Sequence, residues 1–355
     1  MLEKTETGLI KPKRLKGGDK VAAISLSFGA ANLFPKRFEV GCRQLEEAFG
    51  VEVVPTQHAL ESPDWLENNP DKRAQDLIES LEDPSIKGII CAIGGEDSIR
   101  VNRLVDRQII QNNPKVFLGY SDATTTHMHF LNSGVVSFYG PTIMAGFGEN
   151  GGLPLYLKNS VEKNLFQSAP VGEISPNRDG WTSEFLDWSD PENQDIKRKL
   201  LPPVGPITLQ GSGKITGHLI GGCIEVLEML RGTDQWPDHK MFEGAILFLE
   251  TAEKEFLPMY YARALRSYGV MGILDSVSAI ITGRPGGGLP VEEFDVYNKT
   301  LLKIVRDEFG LKNLPLVVNM DFGHTDPICT LPYGLKTTLD CETGSLHILE
   351  SAVTD

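Results

Sequence analysis

The chain has 355 residues, 41% hydrophobic and 23% charged, enough for about two domains with a core each and typical of a globular protein. Its 34 Lys and Arg against 48 Asp and Glu leave a net charge of −14, which argues against nucleic acid or an anionic membrane as a surface-wide partner. No apolar run approaches the roughly eighteen residues of a membrane span. Residues 1–20, though basic, lack the hydrophobic stretch of a secretion signal. Five widely spaced cysteines (Cys42, Cys91, Cys223, Cys329, Cys341) form no C-x-x-C pair. They read as reduced thiols of a cytoplasmic protein, with neither a zinc ligand set nor a disulfide framework.

In chain order, residues 20–27 (KVAAISLS) are apolar enough for a buried strand, and the amphipathic 36–49 follows as a helix. Residues 51–54 read as a short strand. Residues 70–81 read as a helix with Pro70 at its first position and Asn69 as its cap. A third strand, 88–93, breaks at Gly94-Gly95 ahead of a helix over 98–110. Strands over 116–118 and 135–138 flank a helix that begins after Ser121-Asp122 and ends at Gly134. This alternation predicts an α/β fold, with a mostly parallel sheet flanked by helices over residues 1–165. Ligands bind at the carboxyl ends of such strands, where Gly94-Gly95 and Ser121 both lie.

From about 149 to 214 the pattern fails, in a stretch rich in Gly, Pro, Asn and Asp that contains WTSEFLDW, with Trp181 and Trp188. Residues 166–210 are expected to be a linker and substrate loop, ordered because disordered tethers are poor in aromatics. A smaller α+β domain is expected over 211–355. It starts with a Gly-rich turn and helix at 217–230 and has strands at 245–249, 277–282 and 315–318. Helices at 260–267 and 291–309 and a hairpin-like tail including 345–349 complete it. The turn RPGGG, Arg284 to Gly288, reads either as a tight turn or as a close approach to a ligand.

Three polar residues close apolar strands. A serine at a strand-to-helix turn lies near the positive end of a helix and its free N–H groups, where charge on a substrate oxygen is stabilised. An N-cap role would suit Ser121 or Asp122 equally. Glu250 closes AILFLE and His324 follows PLVVNM. Each alone has an ordinary reading, as the first polar residue after a core strand or as a solvated loop imidazole. Together they fit a Glu that orients an imidazole to take a serine proton. An α/β-hydrolase shares the Ser–acid–His order, with G-x-S-x-A here around the serine. A non-catalytic two-domain small-molecule binding protein is the reading from another class. No GxGxxG follows the first strand, which disfavours a dinucleotide site.

The chain resembles the serine peptidases that include the LD-carboxypeptidases of murein recycling and the microcin C self-immunity peptidases. The resemblance is carried by GDKVAAISLS, AIGGEDSIR, FLGYSDATT, GHLIGG followed by LRGT, AILFLET and FGHTDPICTLPYG, in family order across nearly the whole chain. It implies Ser121 as nucleophile, His324 as general base and Glu250 as the residue that orients it. The implied oxyanion hole is made of N–H groups at Asp122 and in the Gly94-Gly95 turn. The site would lie between the two domains, commonly in a homodimer, with no metal or organic cofactor. WTSEFLDW resembles the immunity-peptidase branch, whose loop tryptophan stacks on a nucleobase; Trp181 or Trp188 would take that role. Lys254 matches a lysine of that branch near the substrate's acidic group. Where the family commonly reads GGN, this chain has Gly221-Gly222-Cys223, which takes an amide donor and acceptor from the pocket wall. The implied activity is that of a serine carboxypeptidase or amidase. Its substrate would be the C-terminal amide-type bond of a small acidic peptide- or aminoacyl-nucleotide, and the alternative is release of D-alanine from a murein tetrapeptide.

Overall fold

The computed structural model describes residues 3–355. The alternation in the first half folds as a parallel sheet of β1 (Lys20–Ile24), β2 (Glu52–Pro55), β3 (Ile86–Cys91), β4 (Val116–Gly119) and β5 (Phe138–Tyr139), in spatial order β5-β4-β3-β1-β2. Val21, Ile24, Ile89, Phe117 and Leu118 are all inaccessible, as strands covered on both faces must be. Helices Pro35–Phe49, Pro70–Glu82 and Thr124–Asn132 pack on this sheet. The helix expected over 98–110 is two short ones, Ile99–Asn102 and Arg107–Asn112. The Asp106 carboxylate accepts the Gln108 N–H at 2.9 Å and starts the second. Asn69 does not cap its helix; its side-chain amide instead donates to the Trp65 carbonyl at 2.7 Å.

Part of the stretch expected to be irregular is ordered. Leu155–Leu165 is a helix that buries Leu157, Val161 and Leu165, one apolar residue per turn. β6 (Gly172–Ile174) and β7 (Ile207–Gln210) then form the two edges of a second sheet. Its other strands are β8 (Lys214–Cys223), β9 (Ile246–Glu250), β10 (Ala279–Gly283) and β11 (Leu316–Met320), and, after β12 (Leu331–Pro332), β13 (Lys336–Asp340) and β14 (Ser345–Ile348). The spatial order is β6-β14-β13-β8-β9-β10-β11-β7. β12 crosses back to pair antiparallel with β5 at the edge of the first sheet. Buried side chains of both sheets form one continuous apolar cluster. A second cluster lies between the first sheet and helix Pro70–Glu82. The chain is thus mixed α/β, with a mostly parallel sheet flanked by helices and a second sheet packed against it.

A departure in the second half bears on the site. Residues 217–223 are not a turn but the end of β8, held extended by β13 at Gly217 and His218 and by β9 from Leu219 on, with Cys223 opposite Glu250. The Cys223 N–H also donates to Thr124 Oγ1 at 3.1 Å, which ties the end of β8 to the helix that starts just after Ser121. β8, β9, β10 and β11 run parallel, so Glu250 and the loop after Met320 emerge at the same end of the sheet.

Candidate active site

Ser121 lies where β4 turns into a helix. Its φ of +62° is in the left-handed region, shared among described non-glycine residues only by Asn319. An L-residue there costs about 1–3 kcal/mol and needs support from its surroundings. The Ser121 N–H donates to the Tyr139 hydroxyl at 3.1 Å. His127 braces the strand end: its Nε2–H donates to the Gly119 carbonyl at 2.9 Å, and Nδ1 lies 2.9 Å from Ser137 Oγ. Burial lowers the His127 pKa to about 3, against the opposing pull of the Gly119 carbonyl, so the ring is neutral.

After β3, the chain passes in front of this serine. A Cβ on Gly94 would sit 3.0 Å from Ser121 Oγ and 3.4 Å from the Asp122 nitrogen, so only glycine keeps that space open. The N–H groups of Gly94 and Gly95 donate to no acceptor among the described residues. Beyond them, Ser27 Oγ accepts the N–H groups of Glu96 and Asp97. The Asp122 side chain is buried and accepts the Ser98 N–H at 2.9 Å. Burial raises its pKa despite that bond. Asp122 therefore offers this space its backbone rather than its carboxylate.

The second sheet supplies the opposite groups. Glu250, only 2% exposed, accepts His324 Nδ1–H at 2.7 Å through Oε2, and the Tyr139 hydroxyl through Oε1. Burial alone would lower the His324 pKa, but the charge and hydrogen bond of Glu250, aided by Glu225 and Glu253, raise it above the ordinary imidazole value. With Nδ1 committed to Glu250, Nε2 is left as the acceptor. Ser121 and His324 line one cavity of about 1010 Å³; no hydrogen bond joins them among the described residues. The RPGGG turn explains how this side is held. Arg284, 2% exposed, donates to Asp321 at 2.7 Å and Thr325 at 2.9 Å. The Gly286 N–H donates to the Thr251 carbonyl at 3.0 Å, and a Cβ on Gly286 would stand 2.8 Å from that of His324. The glycines serve close packing between the chain after Glu250 and the His324 loop.

The remaining sequence candidates divide. Trp188 lines the cavity, with the Arg37 guanidinium 4.7 Å from its ring centre and Phe34 and Phe185 beside it. Trp181 does not: it is 1% exposed, packs on Phe294 and Arg284, and donates Nε1–H to the Pro202 carbonyl. The expectation that either ring could serve is corrected on this ground, since a ring enclosed in core has no free face. Lys254 is exposed in the turn after Glu250; its neighbour Glu253, rather than Lys254, is part of the cavity lining. Cys223 is buried, and its thiol donates to Glu225 at 3.2 Å. The other Glu225 oxygen accepts the N–H of Ala252 at 2.7 Å, so this pair anchors the chain that leaves β9.

Sequence reasoning missed Tyr139, Arg37 and Arg198. Arg198 donates to Glu149 and, at 2.7 Å, to Asp326, tying the Trp188 loop to both halves of the molecule. None of the three carries a local sequence signal; their partners are distant in the chain. Among the described residues no cluster of three or more His, Cys, Asp or Glu is placed to hold a metal, and no helix is long and apolar enough to cross a membrane.

Comparison with known proteins gives a consistent picture. The profile of the LD-carboxypeptidase N-terminal domain of peptidase family S66 matches residues 21–140, and that of its C-terminal domain matches 216–339. The chain is 28% identical to the microcin C7 self-immunity protein MccF of Escherichia coli, covering 94% of each chain. It is 27% identical to a Bacillus subtilis protein named "Probable murein peptide carboxypeptidase", over 93% of this chain and 91% of that one. A solved structure of MccF in complex with aspartyl sulfamoyl adenosine superposes with a TM-score of 0.84 at 26% identity, covering 97% of this chain and 100% of that one.

Proposed function

Because the chain belongs to the LD-carboxypeptidase family, peptidase S66, we propose that it is a serine-type hydrolase in which Ser121, His324 and Glu250 act together. The observation that carries this reading is a strained serine sharing one cavity with an imidazole already bound to a buried carboxylate. Ser121 Oγ attacks the carbonyl carbon while His324 Nε2 takes its proton. The imidazolium, stabilised by Glu250, returns that proton to the leaving nitrogen. Water then opens the acyl-enzyme by the same proton path. The N–H groups of Asp122 and the Gly94-Gly95 turn receive the developing oxyanion.

For substrate we favour an aminoacyl- or peptidyl-nucleotide cut at its amide-type bond. Trp188 supports this, because base–aromatic stacking is worth about 1–3 kcal/mol and tolerates base identity. Arg37 supports it too. Burial and the repulsion of Arg198 lower its pKa to about 10, with Glu149 and Asp326 pulling the other way, so it is still cationic at neutral pH beside the ring. The likeness to a protein named for murein peptides favours a second reading, release of the terminal D-alanine of a murein tetrapeptide. Incubation with an aminoacyl sulfamoyl adenosine and with a murein tetrapeptide, followed by mass spectrometry, separates the two. Free amino acid from the first alone is the expected result; D-alanine alone would overturn the nucleotide reading, and inertness toward both would overturn each.

The base must be neutral to act, and its pKa is raised. Activity should therefore fall on acidification through a midpoint above the ordinary imidazole value of about 6.5. A pH–rate profile with its acid limb below that value would contradict the pairing of His324 with Glu250.

A further inference from the structure

We propose that Tyr139 is a positioning residue that couples the nucleophile turn to the acid of the site, a role that rests on the triad reading above. Its hydroxyl is placed between the two halves. As acceptor it takes the Ser121 N–H at 3.1 Å, and as donor it gives its proton to Glu250 Oε1. Each of these partners lacks a substitute. The Ser121 N–H stands at a left-handed residue that opens the short helical turn after β4. Glu250 has its other oxygen committed to His324, and the carboxylate is all but inaccessible to water. A single hydroxyl therefore fixes the backbone of the attacking residue and the rotamer of the carboxylate that orients the base.

The rest of the ring is locked. Tyr139 is wholly inaccessible and packs against His127, Phe248 and Tyr333. Burial and the neighbouring Glu250 charge hold the phenol protonated far above its ordinary range, so it serves as a permanent donor to the carboxylate. That donation disperses charge that would otherwise act on His324. The other groups that face this imidazole are Glu225, Glu253 and the ring of Tyr120 at 4.9 Å, and none of them bonds the Glu250 oxygen that Tyr139 occupies.

The test compares Tyr139→Phe with Tyr333→Phe in the full-length protein. Tyr333 is an equally buried phenol whose ring centre lies 6.4 Å from that of Tyr139, but its hydroxyl donates to the Gly221 carbonyl and hydrogen-bonds neither Ser121 nor Glu250. Two readouts are independent of the natural substrate: the rate of Ser121 labelling by a fluorophosphonate, and the His324 titration followed by ¹⁵N NMR. Tyr139→Phe should slow labelling roughly 10- to 100-fold, the range for losing a hydrogen bond to a charged group. It should also move the His324 midpoint upward, because Glu250 then presents its undispersed charge. Tyr333→Phe should leave the midpoint in place even if it lowers the melting temperature. Unchanged labelling and midpoint in Tyr139→Phe would overturn the proposal, provided Ser121→Ala abolishes labelling and Glu250→Gln lowers the midpoint. If those two controls themselves behave as wild type, the triad reading falls, and the role of Tyr139 with it.

Discussion

The part of the site that holds Ser121, Glu250 and His324 and the wall that carries Trp188 are built in opposite ways. On the first, Glu250 and Tyr139 are buried with every side-chain oxygen partnered, and the loops are packed backbone against backbone at Gly286. On the second, Phe185 is 69% exposed, Trp188 is half-buried, and side-chain contacts from Arg37, Phe34 and Arg198 hold a long irregular segment in place. Proton transfer needs atoms held within a few tenths of an ångström, whereas recognition by a stacked ring tolerates movement. The contrast teaches that chemistry and selectivity in this molecule should respond to different mutations.

The largest effect should come from the rigid side. Ser121→Ala should reduce turnover on the order of 10⁵–10⁶-fold, with substrate binding nearly unchanged, because only the attacking atom is lost. Steady-state kinetics together with a direct binding titration would show this. A variant that loses binding as much as turnover would mean that the two walls are not separable.

Arg198→Met should come next, and should act on stability. It leaves Glu149, and in part Asp326, without a cation in a setting where the side chains are 8% and 24% exposed. Removing one partner of a buried ion pair costs about 3–5 kcal/mol, and the partial exposure of Asp326 places the expected loss at the lower end, about 3 kcal/mol. Chemical denaturation measures it. A loss under about 1 kcal/mol would show the loop to be held by its aromatic contacts instead.

How much of this was legible beforehand depends on where each residue's partners lie. Ser121, Glu250 and His324 could be read because each ends or closely follows an apolar strand, a local signal, and the parallel order of β9 to β11 then brings Glu250 and the His324 loop to one end of the sheet. The Leu155–Leu165 helix was legible in its 157–161–165 spacing but masked by the surrounding Gly and Pro. The end of β8 read as a turn because its glycines answer the close approach of Phe248 to Gly221 and of Thr124 to Gly222, a tertiary cause with no local trace. Trp181 and Trp188 look alike in sequence. Only the packing of Phe294 and Arg284 on the first tells core from cavity. The edges supplied by β6 and β7 were unreadable for the same reason, since short strands at a sheet margin show no periodicity of their own.

On the adaptable wall, Trp188→Ala should raise KM for a nucleotide-bearing substrate roughly tenfold, within the 1–3 kcal/mol of base stacking, and leave kcat within about threefold. The same variant should handle a substrate without a base like wild type. An equal fall in kcat for both substrates would mean that the ring supports the loop rather than the ligand.

The last effect builds up gradually with acid and tests the packing beneath Ser121. His127 is buried and neutral, with a folded pKa of about 3 against about 6.5 in an unfolded chain. Between these values the unfolded state binds a proton that the folded state refuses, so stability must fall as the pH is lowered through that window. The slope approaches about 1.4 kcal/mol per pH unit for one such group. His129, also lowered by burial, adds to it. Replacing His127 with Gln keeps an amide donor for the Gly119 carbonyl and removes the titration. Denaturation midpoints measured from pH 7 to pH 4 should then show a shallower decline than in wild type by about one proton's worth. If the two slopes coincide, His127 is protonated in the folded protein after all, and the strand end beneath Ser121 is open to water rather than sealed.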